Sequence, residues 1–311
     1  MIYTKAVVCT KYGPPEVLQL KEVEKPIPSK HEICIKILAT SVTASDCIIR
    51  GFKVPIQFWI PMGLVIGFKK PRKPILGMVF SGEVESVGNA VKLFKKRDQV
   101  FGFDRFGFGT YAEYKCIHEE SLLVKKIKNV TYEEAAAVPF GGLLALHYLK
   151  KANIQSGQKV LIYGASGAIG TSAVQLVKYF GAEVTGVCST SNVELVKSLG
   201  ANKVIDYTKE DFTQSGEFYD IIFNAVGKKK IKLQCKKALA QNGKHITVDD
   251  GSPTLHIEDL IFLNGLIEKG QIKAVIDRCY LLDQIVEAHR YVDQGHKKGN
   301  VIITVKHNDK T

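Results

Sequence analysis

Hydrophobic positions change rhythm near the middle of the chain. From residue 159 they gather in short solid runs, each followed by apolar residues at helical spacing, as buried parallel strands and crossover helices require. The first such unit, 159–180, reads KVLIYGASGAIGTSAVQLVKYF. Its strand is 159–163. Ile169, Ala173, Val174, Leu176, Val177 and Phe180 mark the helix, and Gly181 ends it. The alternation continues as strand 183–188, helix 193–199 stopped by Gly200, strands 203–207 and 219–226, helix 230–239, strand 244–248 and helix 257–269. This predicts an α/β domain of the Rossmann type, a doubly wound parallel sheet with helices on both faces.

Ahead of it the runs are shorter and punctuated by Gly and Pro. Strands are expected at 5–9, 33–38, 78–87, 99–103, 111–117 and 121–125, which suggests a partly closed barrel or sandwich. An insert at 52–73 carries Phe52, Phe58, Trp59, Met62 and Phe68. It either packs locally over the barrel or forms an apolar substrate lid. Thr131 and Glu134 have capping-box spacing before a helix over 135–138, Pro139 breaks it, and a second apolar helix runs to about 149. Past 271 the βα rhythm stops. Strand 274–280, helix 283–292 and strand 301–305 are expected to return to the first domain. The predicted domains are 1–127 with 272–311, and 128–271.

Between the first βα strand and its helix lie Gly164, Gly167 and Gly170, three apart. Gly164 permits a tight turn, Gly167 lets a pyrophosphate approach the backbone, and Gly170 lets helix and strand pack closely. The unsatisfied N–H groups and dipole of the helix start favour phosphate. The strand before and the helix after supply the context that a lone glycine triplet lacks. Gly164, Ala165, Ser166, Gly167, Ala168 and Ile169 are therefore predicted to bind a dinucleotide.

Composition adds bounds. The 311 residues favour two domains, and 45% hydrophobic with 24% charged residues is ordinary for a soluble enzyme. The most apolar stretch, 54–68, is interrupted by Pro55, Gln57, Pro61, Gly63 and Gly67, so no membrane span and no membrane partner are expected. The N-terminus lacks the form of a signal peptide, which points to the cytoplasm. The net charge of +12 is scattered, with small clusters at 95–97, 125–128 and 228–230. It reads as solvated surface that helps steer an anionic cofactor, and no aromatic–basic motif supports nucleic acid binding. Seven cysteines without a C-x-x-C pair read as reduced thiols.

GTYAEY at 109–114, AAAVP at 135–139, the glycine turn, SLGA at 198–201, VIDY at 204–207, AHRY at 288–291 and KGN at 298–300 together resemble the medium-chain dehydrogenase/reductase family. The branch is the zinc-independent quinone oxidoreductases. The resemblance implies a β-rich GroES-like barrel domain, a Rossmann domain and a cofactor in the cleft between them. Where zinc-dependent members carry a cysteine this chain has Thr43, and Gly77-Met78-Val79 replaces their Gly-His-Glu. No metal site is therefore expected. The branch often places an asparagine at Thr43, reaching toward the nicotinamide, and a threonine at Leu144. The resemblance also implies that Asn224 and Val226 edge the nicotinamide ribose, that Val248 follows the fifth strand, and that Lys298 and Asn300 close over the cofactor. A homodimer is implied too, although the passage 249–256 is shorter than in the family.

The expected activity is hydride transfer from NADPH to a small apolar quinone or an α,β-unsaturated carbonyl. The rivals are a 2-enoyl-thioester reductase and a non-catalytic NADPH-binding sensor or nucleic-acid binder. Tyr111 and His147 could donate a proton by chemistry alone, but no catalytic residue is assigned. NADPH is favoured over NADH because GVCSTSN at 186–192 holds no carboxylate to repel a 2′-phosphate. Ser189 and Asn192 offer donors there, the resemblance implies that Tyr207 contacts that phosphate, and Lys197 or Lys209 is a source of charge if the fold brings either close. Neutral hydrogen bonds of roughly 0.5–1.5 kcal/mol each imply a preference of about ten- to a hundredfold.

Overall fold

The computed structural model describes residues 1–54, 56–227 and 229–307, without the side chains of Lys229, Lys230 and Lys232. Most of the lysine cluster expected at 228–230 thus lies outside what is described. In chain order the elements are β1 (Tyr3–Cys9), β2 (Leu18–Glu24), β3 (Glu32–Val42), α1 (Ala44–Gly51), α2 (Trp59–Ile66), β4 (Val79–Val87), β5 (Gln99–Phe103), β6 (Tyr114–His118), β7 (Leu123–Lys125), α3 (Tyr132–Ala137), α4 (Pro139–Ala152), β8 (Lys159–Tyr163), α5 (Ala168–Tyr179), β9 (Glu183–Cys188), α6 (Val193–Ser198), β10 (Lys203–Asp206), β11 (Tyr219–Asn224), α7 (Lys229–Lys237), β12 (Leu239–Thr247), α8 (Ile257–Glu268), β13 (Ile276–Leu281), α9 (Ile285–Asp293) and β14 (Asn300–Thr304). Short 3-10 turns intervene.

The chain forms two compact units, Met1–Pro139 with Ile276–Thr311, and Phe140–Val275. The boundaries drawn from sequence at 127/128 and 271/272 shift to 139/140 and 275/276. The reason is packing: α3, capped by the expected Thr131–Glu134 box, lies against β3, β4 and β14 of the first unit.

In the first unit β13-β14-β3-β4-β5-β7 form a mixed sheet, with β6 also on β3. β3 is long because it serves several partners. Glu32 to Lys36 pair with β6, Ala39 to Val42 pair with β14, and β4 takes its other edge. Its alternate residues Ile33, Ile35 and Ile37 are fully buried with Phe80, Val100, Val301 and Ile303, which makes this strand the spine of the core. Fully burying one such side chain contributes about 1.5–3 kcal/mol.

Two elements of this unit escaped the sequence reading. β2 pairs antiparallel with β1, and its polar, exposed residues hid it. α1 starts from a capping box in which the Thr43 hydroxyl accepts from the Asp46 N–H while the Asp46 carboxylate accepts from the Thr43 N–H.

The second unit is a parallel sheet in the order β10-β9-β8-β11-β12. Numbered by appearance this is 3-2-1-4-5, so the chain reverses direction of growth at β8, and the strand ends there form the crevice where ligands bind in such sheets. Leu161, Val187, Ile205 and Ile222 form its buried core with Phe212 and Tyr219. No helix among the described residues is long and apolar enough to cross a membrane.

Candidate dinucleotide site

At the carboxyl end of β8 the chain turns at Gly164, whose φ is +80°. A side chain there would be strained by that φ and would also strike Val226 Cγ2 at 2.4 Å. The Gly164 and Ala165 N–H groups both donate to Val187 O at 3.0 Å, which fixes the turn to β9. A Cβ on Gly170 would lie 2.1 Å from Gly164 O, so α5 packs on the turn at a distance only glycine allows.

Gly167 differs. It is the N-cap of α5 with φ −79°, and no side chain caps the helix. A Cβ there would find nothing nearer than Gly164 O at 3.7 Å. Among the described residues no atom explains this glycine. The space above it and the uncapped N–H groups of the helix start are what a phosphate needs. The residues present therefore fit a dinucleotide cofactor.

Several predicted site residues converge here. Asn192 is buried and donates from Nδ2 to Ser166 Oγ at 3.0 Å and to Ser189 Oγ at 3.2 Å, joining the turn to the end of β9. The half-exposed Tyr207 stacks on Tyr163 with ring centroids 6.4 Å apart. Asn224 Oδ1 accepts from the N–H groups of Val226 at 3.1 Å and Gly227 at 3.2 Å, which holds that loop against the turn. Val248 N–H donates to Asn224 O, and Val248 O accepts from the Tyr148 hydroxyl at 2.9 Å. Ala168 and Ile169 open α5. Ala165 sits differently from expectation: its methyl is fully buried and its N–H is spent on Val187.

The end of the second strand, 186–192, carries no carboxylate of its own, but pairing brings one from the next strand: Asp206 ends β10 directly opposite Cys188 of β9. It accepts hydrogen bonds from the Thr190 hydroxyl and from Thr208 Oγ1 at 2.7 Å, and these hold its carboxyl below the ordinary value. Lys209 Nζ lies 3.7 Å from Asp206, whereas Lys197 pairs with Glu194. Sequence spacing after the glycine turn could not reveal Asp206, because its approach depends on strand pairing. The signal available was the acid in VIDY at the end of a short strand.

The other predicted residues belong to the first unit. Thr43 is buried, and its hydroxyl both accepts from Asp46 N–H and donates to Asp46 Oδ2 at 2.6 Å, so it is committed to capping α1. Asn300 opens β14, buried and opposite Ile276. Asp46 belongs to a buried polar cluster that the sequence reading missed. Burial pushes its carboxyl up to about 6. One turn on, the fully buried Arg50 donates to His289 Nδ1 at 3.0 Å and to Asp293 Oδ2 at 2.6 Å. Burial first, then the Arg50 charge, pushes His289 down to about 3. The ring of the fully buried Tyr111 meets His289 edge-on at 5.6 Å, and burial holds its hydroxyl protonated. His147 of α4 is partly buried and shifted down by burial, so it is neutral near pH 7. Among the described residues no group of three or more His, Cys, Asp or Glu side chains is placed to hold a metal ion.

A 3-2-1-4-5 parallel sheet with an open, uncapped glycine turn defines a dinucleotide-binding fold. Comparison with known proteins agrees. A family profile described as zinc-binding dehydrogenase matches residues 168–269, and the alcohol dehydrogenase GroES-like domain matches 29–128. The chain is 32% identical to the 2-methylene-furan-3-one reductase of Solanum lycopersicum, over 96% of this chain and 78% of that one. It is 29% identical to the chloroplastic NADPH-dependent alkenal/one oxidoreductase of Arabidopsis thaliana, over 96% and 79%. The solved quinone oxidoreductase of Coxiella burnetii superposes with a TM-score of 0.87 at 27% identity, covering 98% of this chain and all of that one. The chain belongs to the medium-chain dehydrogenase/reductase family, in its quinone oxidoreductase branch.

Proposed function

We propose that this oxidoreductase is an NADPH-dependent, zinc-independent reductase of small apolar quinones or α,β-unsaturated carbonyls. The observation that carries cofactor binding is the open face of Gly167 at an uncapped helix start, with Ser166, Ser189 and Asn192 joined beside it. The acceptor class is supported by the relatives, whose names describe reduction of a furanone, alkenals or enones, and quinones.

Bound NADPH supplies a hydride. The chain's contribution is binding and orientation: the α5 start holds phosphate charge, and the Asn224-braced loop stands over the turn. Electron-poor acceptors need little acid catalysis. Tyr111 and His147 fit that economy, since Tyr111 is fully buried and held protonated and His147 is neutral near pH 7. Zinc independence is supported by the donor set, for the Thr43 hydroxyl is committed to Asp46 and Met78 is buried in the core. The NADPH preference is supported by Ser189 and Asn192 and by Lys209, and is opposed by Asp206. Seven uncrosslinked cysteines suit a reducing compartment such as the cytoplasm.

The test is NADPH oxidation by purified protein with a naphthoquinone, phenanthrenequinone, an enal and an enoyl thioester as acceptors. Turnover of the first three is expected, unaffected by a chelator. Tight NADPH binding without turnover of any acceptor would refute the enzymatic reading.

A further inference from the structure

Helix α2 is apolar almost throughout, yet only Gly63 and Ile66 are buried. Phe58, Trp59, Ile60, Leu64, Val65 and Phe68 are each at least half exposed. Single exposed apolar residues are ordinary, but a contiguous set of this kind marks an interaction surface. The set is held in shape. Tyr12 donates from its hydroxyl to Ile66 O at 3.0 Å and Gly67 O at 2.8 Å, and Arg72 N–H returns to Ile66 O. Phe68 lies over Gly63, where a Cβ would strike its ring. Trp59 ties its Nε1–H to Val54 O at 3.0 Å and rests edge-on against Phe52.

Exposed cations gather beside this patch. From residue 47 to 82 the sequence holds no Asp or Glu, and Lys69, Lys70, Arg72 and Lys73 are exposed, while Lys53 Nζ lies 3.7 Å from Asp293 Oδ1. Lys73 donates to Phe106 O at 3.2 Å, which brings a further exposed ring to the edge.

We propose that α2 and its basic flanks form a peripheral docking surface for an anionic lipid bilayer. A short apolar helix with aromatic side chains at its ends and cations beside it lies in the interface, with its apolar face among the acyl chains and its lysines at the headgroups. Eight residues are too few to span a bilayer, so this surface rests on the membrane. It departs from the expectation of no membrane partner, which was drawn only from the lack of a spanning segment. A second copy of the chain fits less well, because a two-fold contact would set Lys69, Lys70, Arg72 and Lys73 against the same four cations. The proposal does not depend on the acceptor chemistry above.

The chain has one tryptophan, Trp59, so the patch carries its own reporter. Full-length protein is mixed with vesicles of phosphatidylcholine alone or of phosphatidylcholine with phosphatidylglycerol. With the anionic vesicles, Trp59 emission should shift to the blue and the protein should sediment with them, at least tenfold more tightly than with the zwitterionic ones and less so at high salt. Lys69→Glu with Lys70→Glu, and separately Ile60→Ser with Leu64→Ser, should each cut binding at least tenfold while the melting temperature stays unchanged. No shift and no sedimentation with anionic vesicles overturns the proposal. So does equal binding to both compositions. A blue shift that follows protein concentration without vesicles, together with a dimer in sedimentation velocity, overturns it in favour of a second copy.

Discussion

Replacing Gly167 by alanine should separate nucleotide binding from folding. At φ −79° and ψ 176° the backbone suits alanine, and the nearest atom to the new methyl is 3.7 Å away. Two small terms act on stability and oppose each other. Alanine narrows the unfolded ensemble, which stabilises by about 0.4–1 kcal/mol. It caps a helix less well than glycine, which costs about 0.5–1 kcal/mol. The net is close to zero, so Tm should stay within about 3 °C. Binding responds differently, because the methyl fills the space over the uncapped N–H groups. Losing one hydrogen bond to a charged phosphate costs about 1.5–3 kcal/mol, or roughly 12- to 150-fold in Kd. Gly170→Ala is the contrasting variant. Its Cβ would lie 2.1 Å from Gly164 O and 2.8 Å from the Ala165 backbone, neither of which can rotate away. Overpacking of that kind costs about 1–3 kcal/mol, only partly offset by about 1 kcal/mol of helix propensity, so Tm and affinity should fall together. Thermal melts by circular dichroism and calorimetric titration with NADPH measure both quantities. A Gly167→Ala protein that folds normally and binds NADPH as tightly as the parent would show that this open face is not the phosphate site.

Asp206→Asn removes the one carboxylate hydrogen-bonded to Thr190, and should raise the NADPH-to-NADH affinity ratio by about three- to tenfold; an unchanged ratio in paired titrations would show that Asp206 does not oppose the 2′-phosphate. Asp293→Ala leaves the buried Arg50 guanidinium without its carboxylate and should cost about 3 kcal/mol, the low end for a broken buried pair because Asp293 is partly exposed; a loss under 1 kcal/mol in urea titration would contradict this. Asp46 and His289 act oppositely on acid stability. Asp46 keeps its proton up to about pH 6 in the native state, so its contribution falls as pH rises from the ordinary carboxylate range to that value. His289 stays neutral down to about pH 3, so its contribution falls as pH drops below its ordinary value of 6.5. Asp46→Asn removes only the first effect, and its stability should rise between pH 4 and 6 more steeply than the parent's, by roughly 2–3 kcal/mol in all; parallel profiles would exclude a shifted Asp46.

What the sequence made legible was local. The βα rhythm, the glycine turn and the Thr131–Glu134 cap are contiguous patterns, and each formed where the pattern stood. α1 carries the same kind of cap, but Thr43 stands out in the sequence as a family ligand position rather than as a helix start. α2 falls in the stretch 54–68, whose Pro and Gly point to a folded loop or short helices, and an element apolar on every side has no periodicity to decide between the two. Asp206 beside Thr190, and Arg50 between His289 and Asp293, bring together residues from paired strands or from opposite ends of the chain. No window of sequence contains those encounters.

The place of β14 in the first sheet sets an order of events during synthesis. β3 receives β14 along the edge formed by Ala39 to Val42, and β14 is made only after the whole second unit. Ribosomes add about 5–20 residues per second, so that edge stays bare for tens of seconds while the whole second unit is translated. The second unit is continuous in sequence and can close as soon as it emerges. The first cannot, and its waiting β3, with Ile33, Ile35 and Ile37 unburied, is the segment a nascent-chain chaperone would shield.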